Sequence, residues 1–374
     1  MTKNMAKVLI TGGAGFIGSH TADLLLKKGY KVRILDSLSP TTHFGNWPEN
    51  LDPEIEKIKS DVRKKSDLEK ALKSTDFVIH LAAFMDLRPE FSEFFDTNTK
   101  STALIFELIV KNKLPVKKII IASSQFVYGE GRWKCSVHGE VFPKNRNLSD
   151  LEKGIWDPKC PFGSEKITPL PSLETHQDPP NPYAISKFTQ ELIGLKLGKL
   201  FQIPTVVLRY SIAHGPQQSL KNFYSGALRT FTLQMLLGQN PTIFEDGQQL
   251  RDYVSVYDVA SANLTVLENE RANFEIFNVG GGVGLSVLEL AKLVAKKLGV
   301  NFKSEISGQF RLGDIRHAVS DISKLKNLGW KPKISEEKAV SDYIDWVKTQ
   351  KIEKRYLAQA QEQLEQFEIL KRVS

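Results

Sequence analysis

The segment Thr11-Gly12-Gly13-Ala14-Gly15-Phe16-Ile17-Gly18 constrains this chain more than any other. It lies between an apolar run, Lys7–Ile10, that reads as a strand and a run carrying Leu24, Leu25 and Leu26 that reads as a helix. Gly29 is placed to end that helix. Glycines at this spacing permit a tight turn, close approach of a pyrophosphate and close packing of helix on strand. The helix N-terminus then offers free N–H groups and the positive end of its dipole to phosphate. Gly12, Gly15, Phe16, Ile17 and Gly18 are the expected dinucleotide contacts. Lys31–Leu35, Phe77–Ala82, Lys117–Ser123 and Thr205–Leu208 predict further strands, and Phe91–Lys111 and a segment from about Tyr183 predict helices. Alternating strands and helices imply an α/β chain with a Rossmann-type doubly wound parallel sheet.

Asp36 ends the second strand, 18 residues after Gly18. A carboxylate there accepts hydrogen bonds from both hydroxyls of an adenine ribose and repels a 2′-phosphate, so NAD is expected over NADP. Asp61-Val62 follows a third expected strand, where it would border the adenine.

Tyr183-Ala-Ile-Ser-Lys187 puts a phenol and an ammonium at i and i+4 on one helical face. A free tyrosine, with a pKa near ~10, is a poor base at neutral pH. A neighbouring cation favours the phenolate and is expected to lower that pKa, and oxidised nicotinamide would add positive charge. Ser124 sits at a strand end, where parallel sheets present ligand-binding residues.

These residues resemble the extended short-chain dehydrogenase/reductase family, in its NAD-dependent nucleotide-sugar epimerase and dehydratase branch. Besides the segments above, the resemblance rests on His80-Leu-Ala-Ala83, Asn98, Ser123-Ser124-Gln-Phe-Val-Tyr128-Gly129, Leu208-Arg-Tyr210, Arg251-Asp-Tyr253, Asn278-Val-Gly280 and Arg311-Leu-Gly-Asp314. It spans residues 5–348, and Ala122–Arg132 and Phe244–Tyr253 are similar to the dTDP-L-rhamnose 4-epimerase-like group.

The resemblance implies catalysis by Ser124, Tyr183 and Lys187. Tyr183 would take a proton from a sugar hydroxyl while the ring hydrogen passes to NAD as hydride. The keto-sugar would then turn over and receive the hydride on its other face. Cofactor contacts would include Asp36, Asp61, Val62, Leu81, Ala82, Ala83, Asn98, Tyr183 and Lys187. Gln125, Arg251, Arg311 and Asp314 would meet a nucleotide-diphosphate sugar, the arginines gripping its phosphates. Dehydratases of this branch carry an acidic pair after the catalytic Ser/Thr; Gln125 and Phe126 stand there instead, which leaves epimerisation, at C4, as the expected reaction. A reductase or dehydrogenase using exchangeable NAD(P)H is the alternative enzyme. A non-catalytic NAD-binding sensor is disfavoured by intact Ser124, Tyr183 and Lys187. The family's Arg-Tyr-Phe-Asn-x-Tyr-Gly-Pro-Arg stretch reads Arg209-Tyr-Ser211-Ile212-Ala-His214-Gly-Pro-Gln217, so the usual substrate-touching asparagine is Ile212 and His214 fills a tyrosine's place. The family's dimer would form through the Phe91–Lys111 helix and the helix from Tyr183, giving a homodimer.

Composition fits a globular chain: 41% hydrophobic, 25% charged, net charge +8 with no concentrated basic patch, so no nucleic-acid partner is expected. No run approaches the roughly 20 apolar residues of a membrane span. Two cysteines cannot make a disulfide framework, which points to a reducing, cytoplasmic location. Residues 1–210 are expected to form the NAD-binding domain, with an irregular insertion at 130–178. Residues 211–348 form a smaller mixed α/β substrate-binding lobe with segments returning to the first sheet, and 349–374 a helical tail. In the lobe, Ser286-Val-Leu-Glu289 predicts a capping box opening a helix that ends near Gly299. Cys135, His138 and Cys160 supply three of the four ligands a structural zinc site wants, and Gly163 stands where a fourth would fall, so no metal is expected.

Overall fold

Val8 and Ile10 turn to one face of the first strand and Leu9 to the other, and each face meets its own buried apolar cluster. Ile120 and Ala122 against Ile119 and Ile121 repeat the pattern further along. Such two-sided burial requires helices on both faces, as in parallel sheets. The computed structural model describes residues 6–373 except 44, 87, 88, 222–225, 354, 358–361 and 363–369.

Seven strands form the main sheet: β1 (Lys7–Thr11), β2 (Lys31–Asp36), β3 (Glu56–Lys59), β4 (Phe77–His80), β5 (Lys118–Ser124), β9 (Thr205–Tyr210) and β13 (Ile276–Val279). All pairings are parallel, in the order β13-β9-β5-β4-β1-β2-β3. The order reverses between β1 and β4, and the crevice beyond their carboxyl ends is where such sheets bind ligands. The expected doubly wound α/β architecture is present.

The smaller lobe gathers short strands: β10 (Ile212–His214) and β14 (Gly284–Ser286) flank β12 (Leu250–Ser255), and β11 (Thr242–Ile243) pairs β15 (Glu305–Ile306). Helices Gly226–Leu236, Val287–Leu298 and Glu336–Val347 bury Leu228, Val294 and Tyr343 in one shared core. The Ser286/Glu289 capping box is formed, and Gly299 closes its helix at φ 69°.

Two expectations need correction. The insertion is not wholly irregular: β6 (Arg132–Cys135) is the middle strand of an antiparallel sheet with β7 (Gly139–Val141) and β8 (Ile167–Leu170). These strands are too short for a visible period, yet Trp133 and Cys135 alternate inward. The tail is not simply helical. Residues 355–357 are helical, but β17 (Leu370–Arg372) pairs antiparallel with β16 (Gln309–Arg311). Leu370–Arg372 takes up the open edge of β16, a pairing that local helix preference does not reveal. Among the described residues no helix is long and apolar enough to cross a membrane.

Candidate active site

The turn after β1 takes the conformation its glycines allow. Gly12 has φ +69°, and a Cβ on it would come 2.7 Å from the Ala82 nitrogen. Any side chain there would close the space between the β1 and β4 ends. Gly15 caps the Phe16–Lys27 helix, which leaves the first-turn N–H groups pointing out of the helix end. Ile17 packs partly buried against the core and Gly18 is buried. Asp36 steadies this turn, accepting from Ala14 N at 3.1 Å and Leu38 N at 2.9 Å. A carboxylate accepts about four hydrogen bonds, so capacity remains for two ribose hydroxyls.

The β4 end is locked from below. His80 Nδ1 lies 2.7 Å from Thr11 Oγ1 and Nε2 lies 3.0 Å from Ser101 Oγ. Burial, aided by the Lys187 charge, lowers the imidazole pKa to about 3 and keeps it neutral. Leu81 N and Ala82 N bond Thr11, whereas Ala83 is exposed. Asn98 is fully buried in a π-helical stretch, Phe95–Lys100, inside the Phe91–Lys111 helix. Its amide oxygen accepts from Phe84 N at 2.7 Å, and its nitrogen donates to Phe84 O at 3.1 Å and Ser186 Oγ at 2.9 Å. Both amide hydrogens are thus used in tying the β4 loop to the helix that carries Ser186. Asp61 is similarly engaged, by the Arg63 guanidinium and backbone, and Val62 packs in the core.

The helix that carries Tyr183 and Lys187 runs Pro182–Leu200, with Asn181 accepting from Ala184 N and proline in its first turn. Gly194 lets it lie against β5: a Cβ there would come 2.2 Å from Ile121 Cδ1. This close packing places Tyr183 in hydrogen-bond contact with Ser124 at the β5 end. Burial raises the Tyr183 pKa to about 12, and the Ser124 bond draws it back. Burial also lowers Lys187 to about 7, opposed by the charge of Glu191. The expected lowering of the phenol pKa is therefore not found in the chain alone: desolvation outweighs the partner one turn away. Next to Ser124, Gln125 is buried with neither amide atom hydrogen-bonded among the described residues. Unbonded buried amides are costly, and one at a strand end suits a ligand contact.

Behind the helix lies a network the motif reading missed. Glu191 takes two hydrogen bonds from Arg209, at 2.9 and 2.6 Å, and one from Ser123 Oγ at 2.5 Å. Arg209 also donates to Tyr128 Oη at 3.1 Å, and Tyr128 donates to Asn278 at 2.5 Å. The helix is thereby bolted to β5, β9 and β13. Tyr183, Lys187 and Glu191 share one spacing, i, i+4, i+8, which was the available signal.

At the lobe, Arg251 is largely committed. Its four terminal N–H groups bond the carbonyls of Leu250, Arg316 and Ile315 and the Asp314 carboxylate. Asp314 also lies 3.5 Å from Arg311. Burial pushes its carboxyl pKa up, but Arg251, Arg311 and Arg146 outweigh this and hold it below the ordinary value. Asp314 thus pairs with both Arg251 and Arg311. Arg311 has a partly exposed side chain, its Nε makes no hydrogen bond to the described residues, and the Phe244 ring centroid lies 5.7 Å away. Buried Glu130, Arg146, Glu245 and Arg316 brace this edge, a second group that local motifs did not reveal. His214 is fully buried and stacks on Tyr253, consistent with packing.

The chain is similar to known proteins over most of its length. The chain is 32% identical to the dTDP-L-rhamnose 4-epimerase of Burkholderia thailandensis, over 91% of this chain and 94% of that protein. It is 34% identical to a putative UDP-glucose 4-epimerase of Methanocaldococcus jannaschii, over 91% and 98%. Among solved structures, the Thermotoga maritima UDP-glucose 4-epimerase with UDP-glucose superposes with a TM-score of 0.74 at 31% identity, over 91% and 98% of the two chains. The Bacillus cereus UDP-glucuronic acid 4-epimerase, solved with UDP-glucuronic acid and NAD, gives 0.73 at 27% identity, over 91% and 99%. The pattern of one family matches residues 8–149 and 158–280, and the chain belongs to it: the NAD dependent epimerase/dehydratase family.

Proposed function

We propose that the chain epimerises a nucleotide-diphosphate sugar at C4, with NAD as its cofactor. The observation that carries this reading is the Ser124–Tyr183 contact at the β5 end, with buried Lys187 one turn along the same helix. The residues fit NAD: the Gly12 turn leaves room for a pyrophosphate, and Asp36 retains acceptor capacity for ribose hydroxyls. When bound, NAD supplies a reversible acceptor for the hydrogen on the reacting carbon.

Tyr183 takes the proton from the substrate hydroxyl and later returns it. Ser124 holds that hydroxyl and Tyr183 in one hydrogen-bonded chain. Lys187 supports the phenolate electrostatically and would also hold the ribose of bound NAD. Gln125 bonds a sugar substituent beside the reacting carbon, and Arg311 pairs with the diphosphate while Asp314 and Arg251 fix its loop. Neither Gln125 nor Phe126 can serve as the extra acid that dehydration needs.

Incubation with dTDP-, UDP-, GDP- and CDP-sugars, with products resolved by NMR, should reveal one sugar inverted at C4 and no net NADH. Accumulation of NADH or a released keto-sugar would instead identify a dehydrogenase. The free cysteines support action in the reducing cytoplasm.

The active form is a homodimer. Phe91, Phe95, Ile185 and Leu192 are exposed on the two helices that would meet across the two-fold axis. Sedimentation should give a dimer at micromolar concentration, and Leu192→Glu should shift it towards monomer; a monomeric wild type would exclude this assembly.

A further inference from the structure

The insertion converges four ligand-bearing side chains that the epimerase reaction does not use. Cys135 ends β6, His138 lies in the hairpin turn to β7, Cys160 comes from the loop beyond, and Glu165 precedes β8. One ligand atom from each lies within 4.8 Å of all the others. His138 Nδ1 is 3.5 Å from Cys135 Sγ, 3.4 Å from Cys160 Sγ and 3.8 Å from Glu165 Oε2. We propose that Cys135, His138, Cys160 and Glu165 bind a structural zinc ion.

The distances carry this assignment. Zinc bonds of about 2.3 Å to sulfur and about 2.0–2.1 Å to nitrogen, at a tetrahedral angle, place S and N roughly 3.5 Å apart. A hydrogen-bonded imidazole offers one nitrogen to one good partner, whereas here a single Nδ1 faces two sulfurs and a carboxylate. Glu165 Oε2 is buried without a hydrogen-bond partner among the described residues and faces His138 Nδ1. Backbone N–H groups of Val137 and His138 face the Cys135 sulfur, and that of Phe162 faces the Cys160 sulfur. Two thiolates with imidazole and carboxylate in tetrahedral array select zinc over magnesium or calcium.

Glu165 is the ligand hidden from the sequence, and Gly163 admits it. A Cβ on Gly163 would come 2.2 Å from Glu165 Oε2. The local apolar core, Trp133, Cys135, Val141, Cys160 and Ile167, is too small to hold the insertion firmly. A metal cross-link ties β6, the β6–β7 turn and the approach to β8 together. It also anchors a loop that reaches the lobe, because Asp157, three residues before Cys160, accepts from Arg316 Nε at 2.7 Å.

The test uses the intact untagged chain, purified without chelator under reducing conditions. Mass spectrometry of metals should find one zinc per chain. After chelator treatment, cobalt(II) should saturate at one equivalent with the visible bands of tetrahedral thiolate coordination. Zinc should remove those bands. Glu165→Gln and Gly163→Ala should each weaken zinc binding by at least about tenfold, and Cys160→Ser should abolish the cobalt–thiolate bands. Should Cys160→Ser fail to fold, the wild-type cobalt titration decides alone. Metal-free protein whose cobalt mixture lacks thiolate bands, with both cysteines reacting freely with a thiol reagent, would overturn the proposal.

Discussion

Tyr183→Phe should fold and bind NAD yet lose at least about 10²–10⁴-fold in turnover, the usual weight of general acid–base catalysis. The substitution removes one hydroxyl from a residue packed edge-on against Phe94, so the ring contact survives. What disappears is the hydroxyl that bonds Ser124. Lys187→Ala should lower turnover and also move the activity optimum to higher pH. The sign follows from the base form: without the ammonium the phenolate is less favoured, its pKa rises, and the rising limb of the profile moves up. A role in helix packing alone predicts the opposite pattern, with Tyr183→Phe near wild type and the Lys187→Ala profile unshifted. Measuring kcat against pH for both variants, with NAD content determined alongside, separates the two.

What was legible in the sequence is what local geometry dictates. The glycine turn, Asp36 at a strand end, the Tyr183/Lys187 spacing and the Ser286 capping box depend on residues within one turn or one strand–helix junction. Hidden features depend on contacts between distant segments. Arg146 meets Glu245 across 99 positions, and Glu130 accepts from Arg316 N across 186. The Arg251 motif was visible, but that its terminal N–H groups are taken by carbonyls across two segments was not. Local motifs also cannot weigh desolvation, so a lysine one turn from a tyrosine looked sufficient to acidify it, whereas burial of both groups dominates in the chain alone. Glu165 escaped for a similar reason: only the folded loop brings its carboxylate back past Gly163 to His138.

The largest loss of stability should come from Glu191→Ala. Both partners of the Glu191–Arg209 pair are essentially inaccessible to water, with side-chain exposures of 1% and 0%. Removing one member of such a pair leaves an uncompensated buried charge, at a cost of about 3–5 kcal/mol. Here the stranded guanidinium would keep Tyr128 Oη and the Glu174 carbonyl but lose both carboxylate bonds, and Ser123 Oγ would lose its acceptor. The denaturant midpoint of the Rossmann domain should fall accordingly. Glu191 also supports the charge on Lys187, so its removal should push that ammonium below its present value of about 7. The pH profile of any folded Glu191→Ala or Glu191→Gln protein should therefore approach that of Lys187→Ala. Replacing the pair together, Glu191→Leu with Arg209→Met, removes both charges and should recover most of the stability, since well-packed apolar replacements of buried pairs are often neutral or better. The double variant should nevertheless keep the displaced pH profile, because the Lys187 neighbour is still gone. A Glu191→Ala protein less than about 1 kcal/mol weaker than wild type, in the range of exposed pairs, would mean that the bolt behind the catalytic helix is not needed to hold it.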